Sequence, residues 1–145
     1  MQLVRNYLIT FAVFFAIDIL WLGFIAKNLY NERLGHLMAE STNWPAAIIF
    51  YSIFIGGLMF FALNPALEKN SVMYAFLVGG LFGFMTYSTY DMTNLATLKD
   101  WPALISVVDI IWGTMLNAMT AGISFYIINF FAKWANKKSG EDKWI

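Results

Sequence analysis

Three aspartates in this chain fall where a carboxyl group is costly to keep. Asp18 lies near the middle of an apolar run from about Asn6 to Ala26. Asp109 lies two turns inside a longer run from about Pro102 to Ala132, and Asp91 closes a third that begins near Val72. An ionisable residue at the centre of a membrane helix costs about 2.5–3.5 kcal/mol, while each surrounding Phe, Leu or Ile returns roughly 0.3–0.6 kcal/mol. Such helices still insert, provided the aspartate faces the bundle and is paired or protonated there. Carboxyls kept at membrane depth line proton relays and ion paths, or they tie down a tyrosine hydroxyl, an indole N–H or a freed backbone group.

The neighbours of these aspartates are chemically suited to either role. Ser106, Asp109, Gly113, Asn117, Thr120 and Ser124 recur at spacings of three and four, forming one small and polar stripe on a helix. Gly79, Gly83, Thr86 and Tyr90 repeat the pattern up to Asp91, and Ser52 with Gly56 makes a shorter version. All three stripes are expected to pack inward. Together with Trp21, Trp112, Tyr87, Thr89, Thr93 and Asn94 the aspartates outline a polar funnel. Asp91 would be outermost, Asp109 intermediate and Asp18 deepest. The candidate substrate- or proton-binding residues are therefore Asp18, Asp91, Asp109, Trp21, Trp112, Tyr87, Tyr90, Asn94 and Asn117. The glycines themselves read as packing residues.

The elements that must hold these groups follow from composition. Of 145 residues, 60% are apolar, 19% aromatic and only 12% charged. A soluble domain is nearer a quarter charged, so lipid is the natural solvent. Four stretches reach the roughly 20 apolar residues a bilayer core demands. They run over about 6–26, 45–63, 72–90 and 102–132, within one membrane domain spanning 1–145, with a polar cytoplasmic tail from 133 to 145. The fold class is an all-α integral membrane protein, a bundle of four transmembrane helices. Asn43-Trp44-Pro45 and Asp100-Trp101-Pro102 set a polar cap and an early proline at two helix starts, and Ser71 caps a third. Asn64-Pro65 is expected to follow the second span. Tyr7, Tyr30, Trp44, Trp101 and Trp134 fall near span ends, as interfacial aromatics do. The connection from Lys27 to Asn43, which carries His36, reads as a short helix in the headgroup layer.

Lysines and arginines orient the chain. Arg5, Lys69, Lys133, Lys137, Lys138 and Lys143 would share one side, and Lys27, Arg33 and Lys99 the other, which favours both termini in the cytoplasm. The first run is too long for a signal h-region and lacks a small-x-small cleavage pattern, so it reads as a retained helix. Zero net charge speaks against nucleic acid as a partner. No cysteine and a single histidine exclude thiolate chemistry and a histidine metal cage, and no cofactor motif is present, so neither a metal nor a cofactor is expected. Two internal echoes, Asn43-Trp-Pro-Ala46 with Asp100-Trp-Pro-Ala103 and Asp18-Ile-Leu-Trp21 with Asp109-Ile-Ile-Trp112, pair different spans and do not fit one duplication.

The string from Thr86 to Pro102, TYSTYDMTNLATLKDWP, together with Asp18-Ile-Leu-Trp-Leu-Gly23, Leu34-Gly-His36 and Asp109-Ile-Ile-Trp-Gly113, resembles DUF2177, a bacterial family of membrane proteins bearing a domain of unknown function. The resemblance covers nearly the whole chain and implies four membrane helices in a bacterial inner membrane, with these blocks as signature residues. It implies no activity. The residues themselves leave three function classes: a small proton- or cation-linked transporter using Asp18 and Asp109, which calls for a homodimer because four helices enclose little volume; an enzyme acting on a lipid or other apolar substrate, with Asp91 and Asp109 as acid and base and Tyr87, Tyr90 or Asn94 orienting the substrate; or a non-catalytic assembly protein packing through its glycine stripes. Membrane lipids are partners in each.

Overall fold

The computed structural model describes residues 2–139, with side chains through residue 135. Among the described residues there is no strand, and four helical spans are long and apolar enough to cross a membrane: Gln2–Ile25, Trp44–Glu68, Val72–Thr97 and Ala103–Ala135. The outside of the bundle is apolar, with Phe24, Ile53, Phe60, Leu77 and Phe130 all exposed. Such a surface belongs against lipid.

Span one is α1 (Gln2–Leu20) continued by a π-helical turn, Trp21–Ile25. A short helix, α2 (Lys27–Leu34), and a 3-10 turn from Gly35 to Leu37 follow it. Span two is α3 (Trp44–Leu58), a second π turn (Met59–Leu63) and α4 (Asn64–Glu68). Spans three and four are α5 (Val72–Thr97) and α6 (Ala103–Ser139). The tail beyond Ser139 lies outside the described residues.

Local chemistry sets most of the ends. Asn43 Oδ1 accepts the Ala46 N–H at 3.2 Å, with Pro45 in the first turn, and Ser71 Oγ accepts the Tyr74 N–H at 3.2 Å. Asn70 takes the left-handed conformation at φ 47° that closes α4, a position asparagine tolerates. Span two does not stop at Asn64-Pro65 as expected. The π turn absorbs the proline: the Asn64 N–H reaches back to the Met59 carbonyl, and Pro65 falls in the first turn of α4, where a missing N–H does no harm. Span three runs on past Tyr90 to Thr97, carrying Asp91 and Asn94 into the helix.

The centre of the molecule is the α5–α6 pair. A Cβ on Gly79 would stand 2.8 Å from both the Ala121 Cβ and the Asn117 carbonyl oxygen, and one on Gly83 would strike the Gly113 carbonyl. These two helices touch backbone to backbone because glycine is there, so dispersion replaces the hydrophobic drive that lipid cannot supply. The stripe on α3 behaves differently. Ser52 is exposed, its hydroxyl returned to the Ile48 carbonyl at 2.7 Å, and Gly56 has open space beside it. Tyr51, Ile55 and Leu58 are the face of α3 turned inward.

Packing is uneven along the membrane normal. The end that holds the N-terminus and the α4–α5 turn, here the terminal side, contains a dense core of Leu58, Met59, Leu63, Ala66, Ala75 and Ala121. At the opposite end, the loop side, α3 makes its approach to α5 through the ring of Phe54, against Phe82 and Tyr87. Gly83→Ala is expected to destabilise the protein by about 1–3 kcal/mol through overpacking. Gly56→Ala should stabilise it by up to about 1 kcal/mol through helix propensity. Unfolding of both variants in mixed micelles checks the contrast, and equal shifts would contradict this account of the α5–α6 contact.

Candidate functional site

α1 and α6 each carry an aspartate and, one turn later on the same face, a tryptophan. The two faces meet. The Trp21 and Trp112 indoles stack with centroids 4.2 Å apart and planes within 8°. Trp21 opens the π turn, whose widened register shows in the Ala26 N–H reaching back to the Trp21 carbonyl at 2.8 Å. π turns of this kind recur at functional sites because they re-aim a side chain without ending the helix.

α2 then folds back over the stack. The Tyr30 hydroxyl donates to Asp109 Oδ1 and accepts from Trp21 Nε1 at 3.3 Å. On the far side of the stack, Asp18 faces the Tyr51 hydroxyl of α3 and the indole N–H of Trp112, which is aimed at the carboxyl without closing a hydrogen bond. Tyr87 of α5 lies in the field of both carboxyls. Its ring rests flat against α6 over Gly113, where any Cβ would collide with it. So each carboxyl has a phenol partner and shares Tyr87.

Two cavities open on these groups. One, of about 520 Å³, is a chamber between α1, α2, α3, α5 and α6, lined by Asp18, Asp109, Tyr30, Tyr51, Tyr87 and Trp112 among others, with Lys27 at its rim. The other, of about 590 Å³, is a nearly apolar groove between α3 and α5, lined by Phe50, Phe54, Thr86, Tyr87, Thr89 and Tyr90, with Asp109 at its inner end. Tyr87, Tyr90 and Asp109 border both. Each volume lies in the range of small-molecule sites.

Asp91 is close by but enclosed. It is fully buried, neither carboxyl oxygen has a hydrogen-bond partner, and it lines neither cavity. Above it the Ser106 hydroxyl accepts from Trp101 Nε1 at 3.0 Å and donates to the Asp91 carbonyl at 3.4 Å. Trp101 is therefore buried as a plug, against the expectation of an interfacial anchor. Trp44, from the echoing string, is exposed, so the two Asx-Trp-Pro strings serve different ends.

Of the residues singled out from sequence, Asp18, Asp109, Trp112, Tyr87 and Tyr90 line the cavities. Trp21 supports them from behind. Asn94 interacts with Tyr90 at the loop side, and Asn117 is buried deeper, its amide donating to the Gly113 carbonyl at 2.7 Å. Tyr30, Tyr51 and Lys27 belong to the site and were not expected there. A signal existed for Tyr51: a phenol inside a span needs a partner for its hydroxyl. For Tyr30 the interfacial reading concealed it, since only the fold-back of α2 reveals its target. Among the described residues no group of three or more His, Asp or Glu side chains gathers to hold a metal.

Fold and site together define a small multi-span membrane protein with paired carboxyls in an aromatic chamber. The chain belongs to the predicted membrane protein family DUF2177, whose sequence profile matches residues 3–126. No curated protein and no solved structure matches it.

Tyr30 is pushed above the ordinary phenol value of 10.0, first by burial and then by its hydrogen bond to Asp109. A raised folded value means its contribution to stability is complete below pH 10.0 and is lost only as pH climbs through the raised value. In an alkaline titration, Tyr30→Phe is therefore expected to leave the tyrosinate absorbance gained around the ordinary phenol value unchanged. Loss of about one phenol's worth of absorbance there would contradict the bond to Asp109.

Proposed function

We propose that this protein is a small proton- or cation-linked transporter in which Asp18 and Asp109 are the exchange groups. One observation carries the reading. The chamber holding both carboxyls stands at the head of a buried polar stripe on α6 whose Asn117 Oδ1, Thr120 Oγ1 and Ser124 Oγ have no hydrogen-bond partner. From Ser106 to Ser124 the stripe covers about 27 Å at 1.5 Å per residue, close to the thickness of a bilayer core of about 30 Å. A chamber for chemistry alone needs no polar continuation through the membrane, whereas a path for a proton or ion does.

In this conformation the path is open at one end. The loop side holds the chamber and the groove, while deeper in the bundle Gly79 and Gly83 press α5 against Asn117 and Ala121. That is the shape of one end state in an alternating-access cycle, with the site near the midplane and one half closed. The second π turn, Met59–Leu63, interrupts span two and gives it a place to bend. The lysine and arginine distribution supports cytoplasmic termini in a bacterial inner membrane, with the chamber opening to the outside. A second copy would pack on α3 beside the exposed Ser52 and the half-buried Gly56, whose Cβ position is open.

The alternatives draw less support. A lipid-directed enzyme was expected to pair Asp91 with Asp109, but the enclosed Asp91 lines neither the chamber nor the groove. An assembly role was expected to use the glycine stripes; α6 already covers Gly79 and Gly83 of α5, which leaves the shorter Ser52–Gly56 stripe of α3 for it.

In proteoliposomes with an entrapped pH indicator and an imposed cation gradient, wild type should move protons. Asp18→Asn and Asp109→Asn should slow this at least tenfold, an effect of about 1.4 kcal/mol. Asp100→Asn, in an exposed turn, should not. Equal rates in all four proteins would remove the reading.

A further inference from the structure

The chamber and the groove form one amphipathic site. They share Tyr87, Tyr90 and Asp109, so a molecule with its polar end beside Asp18 and Asp109 has a continuous course between α3 and α5 for an apolar tail. The groove is flanked by the exposed Phe50 and by Thr89, which returns its hydroxyl to the Met85 carbonyl at 2.7 Å and so presents its methyl group outward without an unmet donor. Its open side lies between two membrane spans, so a tail reaches it directly from lipid.

The polar end is selective in charge. Two carboxyls from different helices line it, each more than nine-tenths buried, and the described cation at the chamber is Lys27, exposed at the rim. Around them stand the rings of Tyr30, Tyr51, Tyr87 and Trp112. Carboxyls ringed by aromatic faces suit an organic ammonium, which gains from the ring quadrupoles as well as from the opposite charge. An inorganic ion would use the carboxyls and leave the groove empty. An anionic head would meet two carboxyls. A zwitterionic phospholipid brings a phosphate to the same place and offers no net charge to offset them.

We infer that this site binds a single-chain organic cation, with its ammonium head among Asp18, Asp109 and the surrounding tyrosines and its alkyl tail in the α3–α5 groove. The inference rests on the transport reading for the step after binding, and names the class of molecule exchanged. Exchange is balanced: the cation enters as a carboxyl proton leaves to water at the chamber mouth, and no bond other than that O–H is broken. The energetic division is also defined. The head gives specificity through charge and rings, while the tail adds affinity through dispersion contacts with the side chains of the groove.

Saturable binding to the full chain in phosphatidylcholine nanodiscs, corrected for empty discs, tests this with dodecyltrimethylammonium, dodecyl maltoside and tetramethylammonium. The expected order is dodecyltrimethylammonium at least tenfold tighter than either of the others. Asp109→Asn and Asp18→Asn should each weaken it at least tenfold. Thr89→Trp, on the exposed rim of the groove, should weaken the dodecyl cation while leaving tetramethylammonium unchanged, and it alters no core residue. Equal binding of the cationic and neutral dodecyl compounds, or indifference of the dodecyl cation to Thr89→Trp, would overturn the inference. Its failure is separable from that of the transport reading. Aspartate-dependent proton flux without cation preference overturns this inference and spares that reading, whereas cation binding of the expected pattern without flux supports this inference and removes that one.

Discussion

The stack of Trp21 on Trp112 is the contact on which the rest of the site depends. Membrane aspartates insert only if the fold gives them partners, and here the same two helical turns that carry the carboxyls carry the indoles that bring α1 and α6 into register. An aromatic pair of this kind is worth about 0.5–1.5 kcal/mol beyond its buried area, less than the cost of one membrane aspartate. The stack therefore cannot by itself sustain two carboxyls. It fixes their positions, while the Tyr30 hydroxyl donates to Asp109 and the Tyr51 hydroxyl faces Asp18. The arrangement is reciprocal. Asp18 looks toward the tryptophan of α6, while Asp109 reaches the tryptophan of α1 through Tyr30.

Placing that stack requires the glycines of α5 and α6. Gly113 lets the Tyr87 ring lie against α6, and Gly83 lets α5 come close enough to hold it there. Larger residues at either position would push α5 outward and separate Tyr87 from both carboxyls. The small residues thus have two effects at once. They supply the tight packing that replaces a hydrophobic effect between lipid-bathed helices, and they set the width of the chamber. On the loop side no such residues draw α3 in, and bulky Phe50, Phe54 and Tyr51 hold it away from α5. Open and closed halves follow from side-chain size along the same helices.

Much of this was legible in the sequence, and the reasons for what was not are physical. Four spans follow from hydropathy, because lipid imposes a length on every helix that crosses it. The buried face of α6 follows from the three-and-four spacing of its small and polar residues, all of which from Ser106 to Ser124 turn inward. The same rule misread α3, since a serine in a membrane can satisfy itself on its own helix and then has no need of the interior. Pro65 misled for a related reason: a π turn one step earlier allows a proline that would otherwise end the span. Tyr30 and Trp101 were assigned to the interface by depth alone. Their true partners, Asp109 and Ser106, are fixed by tertiary packing, and nothing local encodes such a pairing.

Asp91 shows how burial and function separate. Of the three aspartates it is the most enclosed, with both oxygens unpartnered under the Trp101 plug, yet it lines neither the chamber nor the groove. By burial alone it would rank as the first candidate for chemistry. Access ranks it last, because a solute or a water must reach a carboxyl before the carboxyl can bind it. Asp18 and Asp109 are slightly more exposed, and both open on the chamber. What distinguishes the working pair in the proposed exchange is therefore an open cavity beside a buried charge, a property of the spacing between α1, α3 and α6 that no single helix contains.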